Sequence, residues 1–173
     1  FSCYGDHRDL HSFPTRRSSD LMAHFSTQIR INAGKEEVWE VLADFGGIYR
    51  WNPGVRHSYS TSESCHGLSA TRHCELLKGD DYLDENILEW RDGQSFKVNI
   101  YETNLPLQRN IVEFSIEADG SGTIVTVAPD YALKFGRLGQ LMHWIVVQRK
   151  FKKGMEDLLA GLKYHIENGE VAG

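Results

Sequence analysis

The 173-residue chain is short of cysteine, of long apolar runs and of positive charge. It has three cysteines, Cys3, Cys65 and Cys74, with no C-x-x-C and no zinc-like spacing. A disulfide-built secreted scaffold and a cysteine-based metal site are therefore excluded. His66, His73 and His143 lack the i, i+4 or carboxylate spacing of a metal set, so no metal and no cofactor is expected. The longest apolar run, residues 145–147 with Trp144, falls far short of the ~20 residues that span a bilayer. Lys and Arg number 19 against 24 Asp and Glu, a formal charge of −5. Nucleic-acid binding rests on clustered positive charge, so no such partner is expected. Repeats and low-complexity tracts are also missing. These absences describe a soluble, cytoplasmic protein of a reducing compartment, without stable membrane insertion.

The first residues stand apart. Leu10-His11-Ser12-Phe13-Pro14-Thr15-Arg16-Arg17-Ser18-Ser19-Asp20-Leu21 reads, codon by codon, as the translation of a common sequencing-adapter text. Residues 1–21 are accordingly expected to be a disordered, non-native leader, with Met22 as the native start. No apolar h-region follows the leader's charges, which argues against a signal peptide. Residues 22–173 suffice for one domain with a real core and are too few for two.

What is present is alternation followed by one long amphipathic stretch. Residues 25–33 alternate as a first strand. Gly34-Lys35-Glu36-Glu37 opens a helix, its carboxylates in the first turn, where the helix dipole favours them. Gly46-Gly47 breaks this helix, and a second short helical piece over 48–52 ends before Pro53. Strands follow at 55–62, 70–77, 82–90, 96–101, 109–117 and 123–127, joined by hairpin and turn signals at 78–81, 91–94 and 119–122. Pro129 is expected to end or bend the last of them. Over 138–168, Leu141, Trp144, Val147, Phe151, Met155, Leu158, Leu162 and Ile166 fall on one helical stripe, with charged residues opposite. Gly169 lies just past it, suited to a left-handed cap. A rod of roughly 45 Å needs a partner surface of equal length. The sheet is the candidate, and the space between sheet and helix is where a site is expected.

This order, with Val38-Trp39, Leu42-Ala43-Asp44-Phe45 and Trp51-Asn52-Pro53, resembles the SRPBCC (START-like) superfamily, in its polyketide cyclase/dehydrase-like and lipid-transport branch. Ala70-Thr71-Arg72, Tyr82-Leu83-Asp84-Glu85, Leu105-Pro106-Leu107, Asp119-Gly120-Ser121-Gly122-Thr123 and the final helix fit as well. The resemblance lies in order and spacing, and it covers residues 25–168. It implies an α+β helix-grip fold: a curved antiparallel sheet of about seven strands wrapped around a long C-terminal helix, with two short helices after the first strand. It also implies a cavity for an apolar or amphipathic small molecule. Loops 77–81 and 103–107 correspond in position to the gate and latch of the more distant plant abscisic-acid receptors. Neither carries the gate sequence, so hormone sensing is not implied.

Alternation assigns side chains to faces. Arg72, Cys74 and Leu76 share one; so do Leu83, Glu85 and Ile87; Phe96, Val98 and Ile100; and Asn110, Val112, Phe114 and Ile116. These sets hold most of the strands' apolar residues and are assigned to the face under the helix. A hairpin near Gly79-Asp80 then sets Arg72 nearly opposite Glu85. A charge on an inward face costs several kcal/mol unless paired. The pair is either a polar anchor for ligand, with Asn110 in support, or a structural cross-strand bridge. Trp51 either packs on ligand at the pocket rim or plugs the helix–sheet join. Phe151 and Met155 are core residues that also serve as cavity lining. Arg149-Lys150 and Lys152-Lys153 are read as a solvated helix face. Cys74 lacks a histidine on its own face and is read as a small buried hydrophobe. The expected function is carriage or sensing of a hydrophobic small molecule, bound by Trp51, Arg72, Cys74, Leu83, Glu85, Val98, Ile100, Asn110, Val112, Phe151 and Met155. The alternative is a cyclase or dehydratase acting on a polyketide-like chain, with Glu85 as base and Arg72 polarising a carbonyl. Pairing with Arg72 favours the charged carboxylate and weighs against the base.

Overall fold

A computed structural model describes residues 22–133 and 140–170. Residues 1–21, the expected leader, lie outside them, as do the side chains of Leu141, His143 and Trp144.

The strands are β1 (Met22–His24), β2 (Thr27–Ile31), β3 (Val55–Ser60), β4 (Thr71–Leu76), β5 (Tyr82–Arg91), β6 (Ser95–Thr103), β7 (Leu107–Asp119) and β8 (Gly122–Leu133). Every pairing is antiparallel, in the order β1-β8-β7-β6-β5-β4-β3, with β2 also on β8. Strands β1 and β2 pair with successive stretches of β8, so they are one edge strand interrupted at Phe25-Ser26. The sheet thus has seven positions, as the hairpin pattern implies.

Helix α1 (Lys35–Ala43) carries Glu36 and Glu37 in its first turn and buries Val38, Trp39 and Leu42. Asp44 ends it, and a 3₁₀ segment, Phe45–Arg50, follows at once. The glycine pair expected to separate two helical pieces therefore lies inside the second, which begins three residues early. Gly47 permits this tight junction: a Cβ there would overlap the Asp44 carboxylate, which is held by Arg50 at 2.6 Å. The C-terminal helix α2 (Gln140–Asn168) runs for 29 residues. Gly169, at φ +70°, closes it by donating its N–H to the carbonyl of His165 at 2.8 Å.

Two of the strand expectations are corrected by longer strands. The last strand does not end at Pro129 but continues to Leu133, with Pro129 opposite Val112. Proline is tolerated there because pairing on the other side has lapsed between Val127 and Asp130, where β2 gives way to β1. Likewise β7 begins at Leu107, directly after Pro106, rather than at Arg109.

The core is unevenly filled. Toward α1, Trp39, Trp90, Phe96 and Phe114 form an aromatic cluster with centroid spacings from 4.9 to 5.9 Å. The C-terminal half of α2 buries Leu158, Leu159 and Leu162. It is tied to β2 by Lys163 on the Arg30 carbonyl at 2.9 Å, and to Asn32 N–H through Glu167 at 2.8 Å. Further toward the N-terminal half, Phe151 and Met155 are only half buried. The helix is packed down at one end and spans a hollow toward the other.

Candidate functional site

The hollow is a chamber of about 270 Å³ between the inner face of the sheet, the 3₁₀ segment and α2. Strand alternation delivers its walls: Cys74 from β4, Leu83 and Glu85 from β5, Val98 and Ile100 from β6, Asn110 and Val112 from β7. Helix periodicity delivers its roof, with Phe151, Gly154, Met155 and Leu158 at i, i+3, i+4 and i+7. Arg72 completes the ten sequence-chosen residues that the fold brings around this space.

Trp51 is the one chosen residue that does not border it. It is 3 % exposed and lines a separate surface hollow with Glu40, Asp44, Arg50 and His165. The early start of the 3₁₀ segment explains the shift: Ile48, rather than Trp51, faces the chamber.

Sequence reasoning missed several lining residues. Leu76 and Phe114 belong to inward sets already named, so alternation alone would have found them. Leu105 and Leu107 flank Pro106 in the loop expected at the mouth, whose fold depends on distant partners. Asn104 bonds to Tyr82 N–H and to the Asp80 carbonyl, both at 3.1 Å, tying loop 103–107 to loop 77–81. Gly154 has no side chain to signal a role. It nonetheless sits mid-helix, where glycine costs ~0.5–1 kcal/mol relative to alanine, and a Cβ added there meets nothing within 4 Å.

The polar content of the chamber is small and mostly self-satisfied. Arg72 and Glu85 are 4 % and 6 % exposed and stand directly opposite in the β4–β5 register. Arg72 Nε donates to Glu85 Oε2 at 2.5 Å, and Nη1 donates to the Phe45 carbonyl at 2.8 Å. The Phe45 ring lies 4.0 Å from the guanidinium carbon, a cation–π contact. Burial pulls the Arg72 pKa down, but the adjacent Glu85 carboxylate and Cys74 together outweigh this and leave it raised. The Cys74 thiol donates to Glu85 Oε2 at 3.4 Å. Burial pushes its pKa up, the nearby Glu85 adds to this, and Arg72 only partly offsets it. Thiolate is the reactive form, so iodoacetamide at pH 8 is expected to alkylate exposed Cys65 while leaving Cys74 unmodified until the protein is denatured. Peptide mapping by mass spectrometry reads both sites. Comparable labelling of Cys74 in the folded protein would contradict this burial.

Asn110 is the exception among these groups. It is 2 % exposed, and its Oδ1 has no hydrogen-bond partner among the described residues. Pairing between β6 and β7 stops at Asn99 opposite Ile111, although both strands continue. Beyond that point Ile100, Leu107 and Asn110 border both the chamber and a smaller hollow.

Elsewhere, His73 lies on the outer face, 2.6 Å from Asp84 and stacked on Tyr82, while His66 is exposed. Among the described residues no three His, Cys, Asp or Glu side chains are grouped to hold a metal ion, and no helix is long and apolar enough to cross a membrane. Lys152 and Lys153 pair along the exposed helix face with Glu156 and Asp157.

Comparison with known proteins agrees with this architecture. The family model described as polyketide cyclase / dehydrase and lipid transport matches residues 22–167. No curated protein matches the chain. Among solved structures, a protein of Thermus thermophilus is similar at a TM-score of 0.72 and 19 % identity, covering 85 % of this chain and 99 % of that one. A START superfamily protein from Mycobacterium smegmatis reaches 0.68 at 15 % identity, covering 83 % and 97 %. The ginseng major latex-like protein 151 from Panax ginseng reaches 0.67 at 10 % identity, covering 84 % and 97 %. At such identities the likeness is one of fold.

Proposed function

The chain belongs to the polyketide cyclase/dehydrase and lipid transport family, and from that premise we propose that it binds a hydrophobic or amphipathic small molecule between sheet and helix, as a carrier or sensor. The observation that carries this reading is the chamber of about 270 Å³, walled mainly by aliphatic and aromatic side chains. Its volume is near the lower end of the ~300–1,000 Å³ typical of small-molecule sites. Apolar burial supplies the driving force: roughly 200 Å² removed from water is worth about 5 kcal/mol before the costs of association. The test is native mass spectrometry of the protein as purified from cells, followed by identification of whatever small molecule departs on denaturation. A bound hydrophobic compound at one per chain is the expected result. Failure of every offered lipid, terpenoid and polyketide to bind would remove the reading.

An enzymatic use of the same space is the weaker alternative. Glu85 as general base would need a free lone pair facing a substrate proton. Its Oε2 is taken up by Arg72 and the Cys74 thiol, which leaves only Oε1 for that role. Arg72, meanwhile, is engaged by Glu85, by the Phe45 carbonyl and by the Phe45 ring.

A further inference from the structure

With the chamber read as a ligand site, we infer that its occupant is two-ended: an apolar middle with an oxygen function at either end, one at Asn110 and one at the Arg72–Glu85 pair. Each end is marked by polar groups that the protein itself does not use. At the ion pair, Arg72 Nε and Nη1 donate to Glu85 Oε2 and to the Phe45 carbonyl, and Oε2 also takes the Cys74 thiol. Arg72 Nη2 and Glu85 Oε1 are left without partners among the described residues, on side chains that are 4 % and 6 % exposed and line the chamber. At the other end, Asn110 is buried on the chamber wall beside Leu107 and Val112. Its Oδ1 is enclosed. The accessible group is its NH2, which makes no hydrogen bond among the described residues.

Strand register sets the two ends on one row of the sheet. Arg72 stands opposite Glu85, and Glu85 opposite Ile100. Pairing of β6 with β7 stops at Asn99 opposite Ile111, and one further antiparallel step sets Ile100 alongside Asn110. Glu85 and Asn110 are therefore two strand spacings apart, roughly 10 Å. Ile100 occupies the interval, with Val98 on the same face of β6. The unmet groups fix the chemistry of each end. A hydroxyl suits the ion pair, since its oxygen accepts from Arg72 Nη2 while its proton goes to Glu85 Oε1. A carboxylate there would satisfy Arg72 but set a like charge against Glu85. The Asn110 NH2 only donates, so it takes a carbonyl or hydroxyl oxygen. A molecule with a single oxygen leaves one end unmet, and buried polar groups without hydrogen bonds are costly.

Competition against a neutral fluorescent probe, 1-aminoanthracene, tests this. Octane-1,8-diol carries a hydroxyl at each end of its chain, octane-1,2-diol is the isomer with both at one end, and octan-1-ol has one. A uniformly apolar cavity ranks octan-1-ol first, because an added hydroxyl gives up water on entry and gains nothing. Here octane-1,8-diol is expected to displace the probe at concentrations at least tenfold below those of octane-1,2-diol, and below those of octan-1-ol. In Asn110→Leu, and separately in Arg72→Met with Glu85→Leu, octan-1-ol is expected to become the best of the three. Equal or better displacement by octan-1-ol or octane-1,2-diol in the unmodified protein overturns the two-ended assignment while leaving the chamber a ligand site. So does a lead for octane-1,8-diol that survives in either variant. If the variants do not fold, the ranking on the unmodified protein decides alone. Absence of any binding by probe and all three competitors overturns the ligand site itself, and the two-ended assignment with it.

Discussion

Replacing Arg72 with methionine is expected to destabilise the protein by about 3–5 kcal/mol, the usual cost of removing one partner from a buried ion pair. For a chain of this size that lowers the melting temperature by roughly 10 °C. The reason is not mainly the lost attraction. Glu85, 6 % exposed, would be left without its counter-ion among Cys74 and aliphatic neighbours, and the Phe45 carbonyl would lose its donor. Replacing both partners, Arg72→Met with Glu85→Leu, removes the stranded charge. The double variant is expected to recover most of the loss, because a hydrophobic pair of similar volume often matches a buried salt bridge. Thermal denaturation followed by circular dichroism measures all three variants. A single Arg72→Met variant as stable as the parent would mean that water reaches the pair, and its burial would have to be abandoned.

The second large effect separates two residues seven apart on the same stripe of α2. Leu162 is fully buried, at 0 % exposure, where the helix is packed down. Leu162→Ala is expected to cost about 3–5 kcal/mol, the loss of transferred methyl groups plus the cavity they leave. Met155 is half buried and faces space that is already empty. Met155→Ala should therefore cost about 1 kcal/mol or less, since few packing contacts are lost and alanine is the better helix former. Urea denaturation of the two variants gives the comparison. Similar losses at both positions would show that the helix is seated evenly along its length and roofs no chamber.

Much of this architecture could be read from the residues because its determinants are local. Alternation in β4 and β5 and the turn near Gly79-Asp80 were enough to place Arg72 opposite Glu85, the register observed. Stripe periodicity and Gly169 located the end of α2. The parts that escaped reading depend on distant neighbours. Pro129 sits within a strand because β1 and β2 part beside it, about a hundred residues earlier in the chain. The grip on Arg72 by Phe45 crosses 27 residues and required a 3₁₀ segment that begins at Phe45 itself. That same early start turned Ile48 into the chamber and Trp51 out of it. Gly154 was invisible for a different reason: alternation and periodicity report side chains, and a glycine has none.

Gly154 also offers the most direct test of whether the chamber is a binding site. A tryptophan there starts from a Cβ with open space around it, on the helix face that also carries Phe151, Met155 and Leu158. It fills the chamber's open side without disturbing the packed end of α2. The measurement is fluorescence titration of 1-aminoanthracene into the unmodified protein and into Gly154→Trp, with melting temperatures recorded for both. Saturation at one probe per chain in the former, and affinity at least tenfold weaker in the latter at an undiminished melting temperature, is the predicted result. Equal affinity in the two proteins would contradict the account, because the probe would then be binding somewhere other than between sheet and helix.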